Sequence, residues 1–436
     1  MKQFDDLGLA EKLLRALSAE GYTTPTPIQA EVVPAMLSGE DILAIAQTGT
    51  GKTASFVLPL LDRINRRPGQ LVARSCKALI LAPTRELASQ INDSIRAYGR
   101  FVRHSTAVIV GGVKPGPQIR TMARGVDIIV ATPGRLLDHM GSGAIKLDDT
   151  DTVILDEADQ MLDLGFIPAI RRILNEVPKR RQTVLLSATM PKPIRRLADE
   201  FLSTPMEISV APAAKPIEQI NQKAVHVDGP AKRQALVDIL AGYGVERAIV
   251  FTRTKRGADK VNLHLQKAGL TADSIHGNKS QGQRQRALAA FRSGKVKVLV
   301  ATDIAARGID VDDVSHVVNF ELPDVPEAYV HRIGRTARAG KSGIAVSLYD
   351  NSERGQLHEI ERLIGRRLDN SPGRGAFEKK AQPAKRSSSA RSAKRPGRTR
   401  RYRDGNPKAA GAAKPGKGRH ANQTRRSRAT ERQVGA

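Results

Sequence analysis

Eight consecutive residues, Ala46-Gln47-Thr48-Gly49-Thr50-Gly51-Lys52-Thr53, hold the strongest chemical signal in the sequence. An apolar run, Ile42 to Ala46, precedes them, and a helix-compatible stretch from Lys52 to about Asn65 follows. Strand, Gly-containing turn, Lys-Thr and helix make up the context of a phosphate-binding loop. The N–H groups of such a turn, with the helix N-terminus, form a concavity that favours anions. Lys52 then reaches the β- and γ-phosphates of a nucleotide, and the Thr53 hydroxyl is a Mg²⁺ ligand. Ala46 stands where the usual pattern opens with Gly, which is tolerable if its φ is negative. The plainer alternative is an ordinary Gly-rich turn ahead of a helix.

Two further groups match that chemistry. Val153-Ile154-Leu155-Asp156-Glu157-Ala158-Asp159 reads as a buried strand ending in acids. Carboxylates at the C-terminal end of a strand beside a phosphate loop hold Mg²⁺ in such NTPases. Asp156 is then the metal residue and Glu157 the group that positions and polarises the attacking water. The competing reading is a helix N-terminus enriched in acids, which the helix dipole favours anyway. His331-Arg332-Ile333-Gly334-Arg335-Thr336-Ala337-Arg338 places Arg335 and Arg338 three apart, on one face of a helix or tight turn. Two guanidinia on one face suit a transferring phosphoryl group; a solvated basic face is the bland alternative.

The elements that must position these residues alternate in type. Continuous apolar runs at Ile42–Ala46, Ala78–Ala82, Ala107–Val110, Ile128–Ala131, Val153–Asp156 and Val184–Ser187 read as strands of a parallel sheet covered on both faces. Helical stretches such as Arg85–Tyr98 and Ile194–Phe201 separate them, predicting a doubly wound α/β domain over residues 1–210. Residues 211–218, with prolines at 212 and 216, read as a hinge. The alternation then restarts, with strands expected at Lys223–Val227, Ala248–Phe251, Ser274–His276, Val296–Ala301, Val317–Phe320 and Ile344–Leu348. Helices at about Lys232–Leu240, Gly257–Gln266 and Gln283–Phe291 complete a second α/β domain over residues 219–370, which has no phosphate loop of its own.

Of the net charge of +27, residues 371–436 carry +17, with 20 Lys and Arg against 3 Asp and Glu. That segment contains no Ile, Leu or Met, so it buries too little apolar surface to offset chain entropy and is expected to be a disordered basic tail. A single cysteine, Cys76, excludes an internal disulfide framework and fits a reducing compartment. No apolar run reaches the length of a membrane span, and residues 1–9 lack a signal-peptide layout. A cytoplasmic protein without a membrane partner is expected.

From about Phe4 to Gly365 the chain resembles the DEAD-box RNA helicases of superfamily 2, in that family's motif order. The name-giving tetrad is Asp156-Glu157-Ala158-Asp159, and Gly21-Tyr22-Thr23-Thr24-Pro25-Thr26-Pro27-Ile28-Gln29 resembles the adenine-reading Q motif. The resemblance implies two tandem RecA-like domains, ATP and Mg²⁺ as cofactors, and RNA-stimulated ATP hydrolysis. It implies that Gln29 pairs with the adenine edge and that Tyr22 or Phe4 packs on the base. Ser187-Ala188-Thr189 matches the motif that couples hydrolysis to unwinding through Asp159. Pro83-Thr84-Arg85-Glu86-Leu87, Gly111-Gly112 and Thr132-Pro133-Gly134-Arg135 match RNA-binding motifs of the first domain. Phe251 to Arg253, Gln281 with Arg284, and Thr302 match those of the second. Asp310 matches a residue that contacts the ATP ribose. The family usually has Gly where this chain has Ala337. The opening Phe4-Asp5-Asp6-Leu7-Gly8-Leu9 and the basic tail look most like the bacterial RhlE-type subgroup.

The residues matched to RNA are mostly backbone-binding types, and aromatics are scarce at 3% with no Trp. Phosphate and sugar contacts position a strand without reading its sequence. Single strands and short duplexes are therefore the expected partners, with discrimination from DNA through 2′-OH contacts. Lys52, Thr53, Asp156 and Glu157 lie in one domain and Arg335 and Arg338 in the other, so hydrolysis is expected to require closure. ATP and RNA, sharing that cleft, should each raise the other's affinity. A GTPase would show an Asn/Thr-Lys-x-Asp motif, and none is present. A non-catalytic clamp of ribonucleoproteins and a DNA helicase of the same superfamily share the motifs and stay open, as do ribosomal precursors and RNA-decay machinery as targets.

Overall fold

The computed structural model describes residues 3–47, 49–66, 69–210, 220–242, 244–306, 311, 314–337 and 342–372. Within them the chain builds two seven-stranded sheets in which every pairing is parallel. The first holds β1 (Ile42–Ile45), β2 (Cys76–Leu81), β3 (Thr106–Ile109), β4 (Val126–Ala131), β5 (Thr152–Leu155), β6 (Gln182–Ser187) and β7 (Met206–Ser209), in the order β3-β4-β2-β5-β6-β1-β7. The second holds β8 (Ile220–His226), β9 (Ala248–Thr252), β10 (Ala272–Ile275), β11 (Val298–Thr302), β12 (His316–Asn319), β13 (Gly343–Tyr349) and β14 (Asp369–Pro372), in the order β10-β11-β9-β12-β13-β8-β14. Replacing each strand of the first order by the one seven later gives the second. The two lobes therefore repeat one topology.

Apolar runs make parallel strands here because each strand feeds two cores. Ile42 and Ala44 of β1 pack into one cluster of the first lobe, and Leu43 packs into the other. Ile154 of β5 and Val184 and Leu186 of β6 join the first cluster, whereas Val153, Leu155 and Leu185 join the second. A strand buried on both faces has no polar side to show, so its sequence does not alternate. Full burial of each such side chain is worth about 1.5–3 kcal/mol. In the second lobe, Val250 of β9 faces one cluster and Ile249 and Phe251 another.

Every strand expected from the sequence forms, with ends shifted by no more than three residues. Two strands, β7 and β14, lie at sheet edges and were not expected. In β7 only Ile208 is buried while Met206, Glu207 and Ser209 are exposed, and β14 is Asp369-Asn370-Ser371-Pro372, so neither is an apolar run. Pairing of Ser371 with Val225 and of Pro372 with His226 carries the second sheet two residues past the expected start of the tail. The hinge at 211–218 and the tail from 373 onward lie outside the described residues. Among the described residues no helix is long and apolar enough to cross a membrane.

Helix starts repeat between lobes as the strands do. The Thr84 hydroxyl accepts from Leu87 N ahead of helix Arg85–Tyr98, and that of Thr254 accepts from Gly257 N ahead of helix Lys255–Lys267. These helices follow β2 and β9, which occupy the same place in their sheets. Such a side-chain cap satisfies one of the orphan N–H groups of a helix start and contributes about 1 kcal/mol.

Candidate functional site

β1 delivers the phosphate loop at its C-terminal end, where parallel sheets place their ligands. Ala46 N donates to Ser187 O at 3.0 Å, so the loop leaves the sheet tied to the end of β6. Ala46 lies outside the left-handed region, which is why Ala is accommodated there, while Gly49 (φ 84°) and Gly51 (φ 92°) lie within it. Thr50 Oγ1 donates to Gln47 O at 2.7 Å and tightens the turn. Lys52 is the first residue of helix Lys52–Arg66 and is buried, and its Nζ has no hydrogen-bond partner among the described residues. Thr53 follows it at the helix start, and Thr48 lies outside the described residues.

The acids emerge from β5. In the sheet β6 lies between β5 and β1, so the end of β6 separates the acids from the loop and bonds to both. Asp156 N donates to Leu81 O, and the carboxylate is buried with its Oδ1 unpartnered. Desolvation pushes the Asp156 pKa up to about 7, against the lowering pull of the Lys52 ammonium, and Glu157 beside it raises it further. Glu157 takes φ 54°, ψ 53°, a left-handed conformation that costs a residue with a side chain about 1–2 kcal/mol and is found chiefly where function requires it. Asp159 Oδ2 accepts from Ala188 N (3.2 Å), Thr189 N (2.9 Å) and Thr189 Oγ1 (3.0 Å), while Asp159 N donates to Ser187 Oγ at 3.3 Å. The contact between Asp159 and Ser187–Thr189 expected from the sequence is thus a four-bond junction.

The unpartnered Lys52 Nζ and Asp156 Oδ1, buried and beside a Gly-shaped loop, fit a phosphate with an accompanying divalent cation. Among the described residues no group of three or more His, Cys, Asp or Glu could hold a metal alone. That matches Mg²⁺, which is bound through one or two protein oxygens with substrate phosphates and water.

Gln29 is wired into the same loop. Its Oε1 accepts from Thr26 N at 3.0 Å, closing a capping box on helix Pro27–Ser38, and its Nε2 donates to Gly51 O at 3.1 Å. A side chain on Gly51 would collide with the Gln29 amide, so the approach is a second reason for glycine there. The two aromatic candidates separate: Phe4 is buried in the first core, and Tyr22 is 46% exposed, edge-on to Tyr98 with centroids 6.0 Å apart.

In the second lobe, helix Pro326–Ile333 ends just before Arg335, which is buried and whose Nε donates to His331 O at 3.3 Å. A small cavity lies against it, lined also by His331, Arg332, Phe251 and Asp303. Arg338 and Asp310 lie outside the described residues. Ala337 takes φ 56°, in the left-handed region, so the position at which the family resemblance leads one to expect Gly has a backbone that suits Gly. Sequence reasoning missed Arg332. It is 1% exposed, bonds Asp303 through Nε (2.5 Å) and Nη2 (2.7 Å), donates through Nη1 to Glu321 O (2.7 Å), and lies over the Phe251 ring. Asp303 directly follows Thr302, so one guanidinium braces three of the expected motifs; the pairing of an Arg in one motif with an Asp in another was the available signal.

The residues matched to strand contact fall into two groups. Arg85 packs over Gly111 and Gly112, where a side chain on Gly112 would collide with its guanidinium, and Gly112 has φ 74°. Thr132 N donates to Ile109 O, and Arg135 Nη1 donates to Val113 O at 3.1 Å, tying helix Pro133–Gly141 to the same glycine loop. Pro83 and Thr84 lead into helix Arg85–Tyr98. Gln281 and Arg284, by contrast, are buried and join the lobes. Gln281 Nε2 donates to Glu86 Oε1 (3.2 Å), Arg284 Nη2 pairs with Glu86 Oε2 (2.9 Å), and Arg85 Nη1 meets Gln281 Oε1 at 3.5 Å. Arg253 is held by Glu353 and Asp324.

Comparisons with known proteins agree with this geometry. The family described as DEAD/DEAH box helicase matches residues 26–197, and the helicase conserved C-terminal domain matches residues 231–340. The DEAD-box ATP-dependent RNA helicase CshA of Bacillus cereus is 45% identical over 369 residues, covering 85% of this chain and 69% of its own length. CshA of Bacillus subtilis is 43% identical over 84% of this chain and 73% of its own. Among solved structures, S. cerevisiae Dbp5 bound to RNA and ADP BeF3 superposes with a TM-score of 0.77 at 32% identity, covering 86% of this chain and 96% of that one. A DEAD box protein from Methanococcus jannaschii superposes with a TM-score of 0.51 at 39% identity, covering 85% and 99%. With both helicase halves matched and relatives this similar along most of their length, the chain belongs to the DEAD-box family of ATP-dependent RNA helicases.

Proposed function

We propose that this chain hydrolyses ATP in a site completed by both lobes and uses the closure to grip RNA by its backbone and part short duplexes or remodel RNA–protein complexes. The observation that carries the reading is the lobe-to-lobe contact of Glu86 with Gln281 and Arg284, which joins strand-contact motifs of one lobe to those of the other. In the first lobe the phosphate loop and Asp159 share Ser187, so nucleotide and strand machinery are bonded into one frame.

Each residue then has a role. Gln29 reads the adenine edge, with Tyr22 or Phe4 on the base, and Asp310 meets the ribose. Gln47 to Gly51 enclose the phosphates with backbone N–H groups, and Lys52 places its ammonium on them. Thr53 and Asp156 would hold Mg²⁺, which when bound would supply positive charge to the phosphate oxygens. Glu157 orients the water and takes its proton as the water oxygen bonds the γ-phosphorus and the bond to the bridging oxygen of ADP breaks. Arg335 and Arg338 offset the charge on the transferring group. Asp159, Ser187 and Thr189 pass the change in the phosphate site to Arg85, Gly111, Gly112, Thr132 and Arg135 on the strand side.

The basic tail is read as a sequence-independent RNA tether, because clustered Lys and Arg bind phosphates with release of counterions. Its deletion should weaken RNA binding and flatten its salt dependence. RhlE-type identity, a cytoplasmic location, and ribosomal precursors or decay machinery as targets belong to the same reading. ATPase rates with single-stranded RNA, duplex RNA and DNA, with strand displacement measured in parallel and Glu157→Gln as the inactive control, test it. Strong stimulation by RNA and weak stimulation by DNA are expected; equal rates with and without RNA would end the coupling.

A further inference from the structure

Both lobes open alike. β1 and β8 hold the same place in their sheets, and the first α-helix after each begins at a lysine, Lys52 and Lys232. In the first lobe the ammonium has no hydrogen-bond partner among the described residues, as a phosphate-holding lysine requires. In the second, Lys232 Nζ donates to the Glu353 carboxylate, with Leu348 O at 3.3 Å and Phe320 O at 3.4 Å. In the second lobe, then, an anion stands beside the lysine, and it belongs to the chain.

Glu353 is 1% exposed and uses both oxygens. Besides Lys232, Oε2 accepts from Asp350 N at 3.2 Å. Oε1 faces the other way, accepting from Leu322 N at 3.1 Å and from Arg253 Nη2 at 3.2 Å. Arg253 directly follows β9, whose last residue, Thr252, pairs with Thr302 at the end of β11. Among the described residues the outer edge of its guanidinium meets only Asp324, at 3.4 Å, and that side chain is 73% exposed. The residues around Leu322 are held in turn by Arg332 through Glu321 O and by Arg253 N, which donates to Glu321 Oε2 at 2.7 Å.

We propose that Glu353, set in place by Lys232, is a positioning residue for RNA binding: it fixes Arg253 from the buried side so that a strand phosphate has only the exposed Asp324 to displace. This rests on the reading above that Arg253 touches RNA. A guanidinium already oriented loses less freedom on binding than a free one. A buried carboxylate paired on both sides also avoids the cost of a lone charge in the interior.

The test is a cycle on the full chain: Arg253→Ala, Glu353→Gln and both together, read as KM for a single-stranded RNA, kcat at saturating RNA, the slope of log Kd against log salt, and melting temperature. Arg253→Ala should raise KM for RNA about tenfold and reduce the salt slope by roughly one. Glu353→Gln should raise KM about fivefold with kcat nearly unchanged, and add less than about twofold in the Arg253→Ala background. It will also lower the melting temperature, because Lys232 loses its close buried carboxylate and keeps only Asp350 at 3.9 Å and two carbonyls, in both backgrounds alike, so the coupling in KM decides and not the stability. If Glu353→Gln does not fold, Asp324→Asn replaces it and should lower KM for RNA by removing the competing carboxylate. An equal rise in KM in both backgrounds, or no change for Asp324→Asn, overturns the proposal. Absence of RNA stimulation in the unaltered chain would instead overturn the function proposed above.

Discussion

Replacing Glu86 with glutamine removes the charge that holds Arg284 and so tests whether the lobes are joined where the geometry places the joint. The two side chains are 4% and 10% exposed and 2.9 Å apart, and Arg85 crowds the same spot. Burial lowers the Arg284 pKa and Glu86 opposes that, so the carboxylate is what makes a buried guanidinium tolerable here. Deleting one member of a buried pair costs about 3–5 kcal/mol. Glutamine keeps an oxygen that still accepts from Arg284, so about 2 kcal/mol is expected against the joined state, or roughly thirtyfold in its population. RNA-dependent ATPase reads this directly: KM for RNA should rise by about that factor, while nucleotide binding to the first lobe is kept. The charge swap Glu86→Arg with Arg284→Glu should recover part of the loss, which a simple RNA contact by Glu86 would not. Unchanged KM for RNA in Glu86→Gln, or a swap worse than both single variants, would refute the assignment.

Two further outcomes follow from local geometry. Ala337→Gly removes a side chain from a left-handed backbone and should raise stability by about 1 kcal/mol in a denaturant titration, with no loss of ATPase; a destabilised variant would contradict it. Cys76 is buried, and desolvation raises its thiol pKa to about 12. In the folded protein it should therefore resist alkylation at pH 8, reacting only through unfolding. The unfolded chain releases that proton above about pH 9 while the folded one keeps it, so stability should fall as pH climbs from 9 towards 12.

The sheets and the phosphate loop were legible because their signals are local. A strand buried on both faces is a continuous apolar run, and a loop that cradles phosphate needs its glycines and Lys52 within eight residues. The edges β7 and β14 were not, since an edge strand needs no apolar face on its open side. What the sequence hid are partnerships across distance. Gln281 and Glu86 lie 195 residues apart, and Lys232 and Glu353 lie 121 apart. Gln281 and Arg284 have side chains equally suited to a phosphate, so only burial reveals that they join the lobes. Arg332 is likewise chemically identical to Arg335, three residues on in the same motif, and only its bidentate grip on Asp303 marks it as a brace.

The central claim, that one half grips the phosphates and the other completes the site, is tested most directly by Arg335→Ala in the full chain with saturating RNA. The account predicts that the ATPase rate falls by about 10³-fold or more while Mg-ATP still binds through Lys52 and the loop. A rate within a fewfold of the unaltered chain would contradict it, because Arg335, the buried arginine that the second lobe offers, would then contribute nothing to the chemistry.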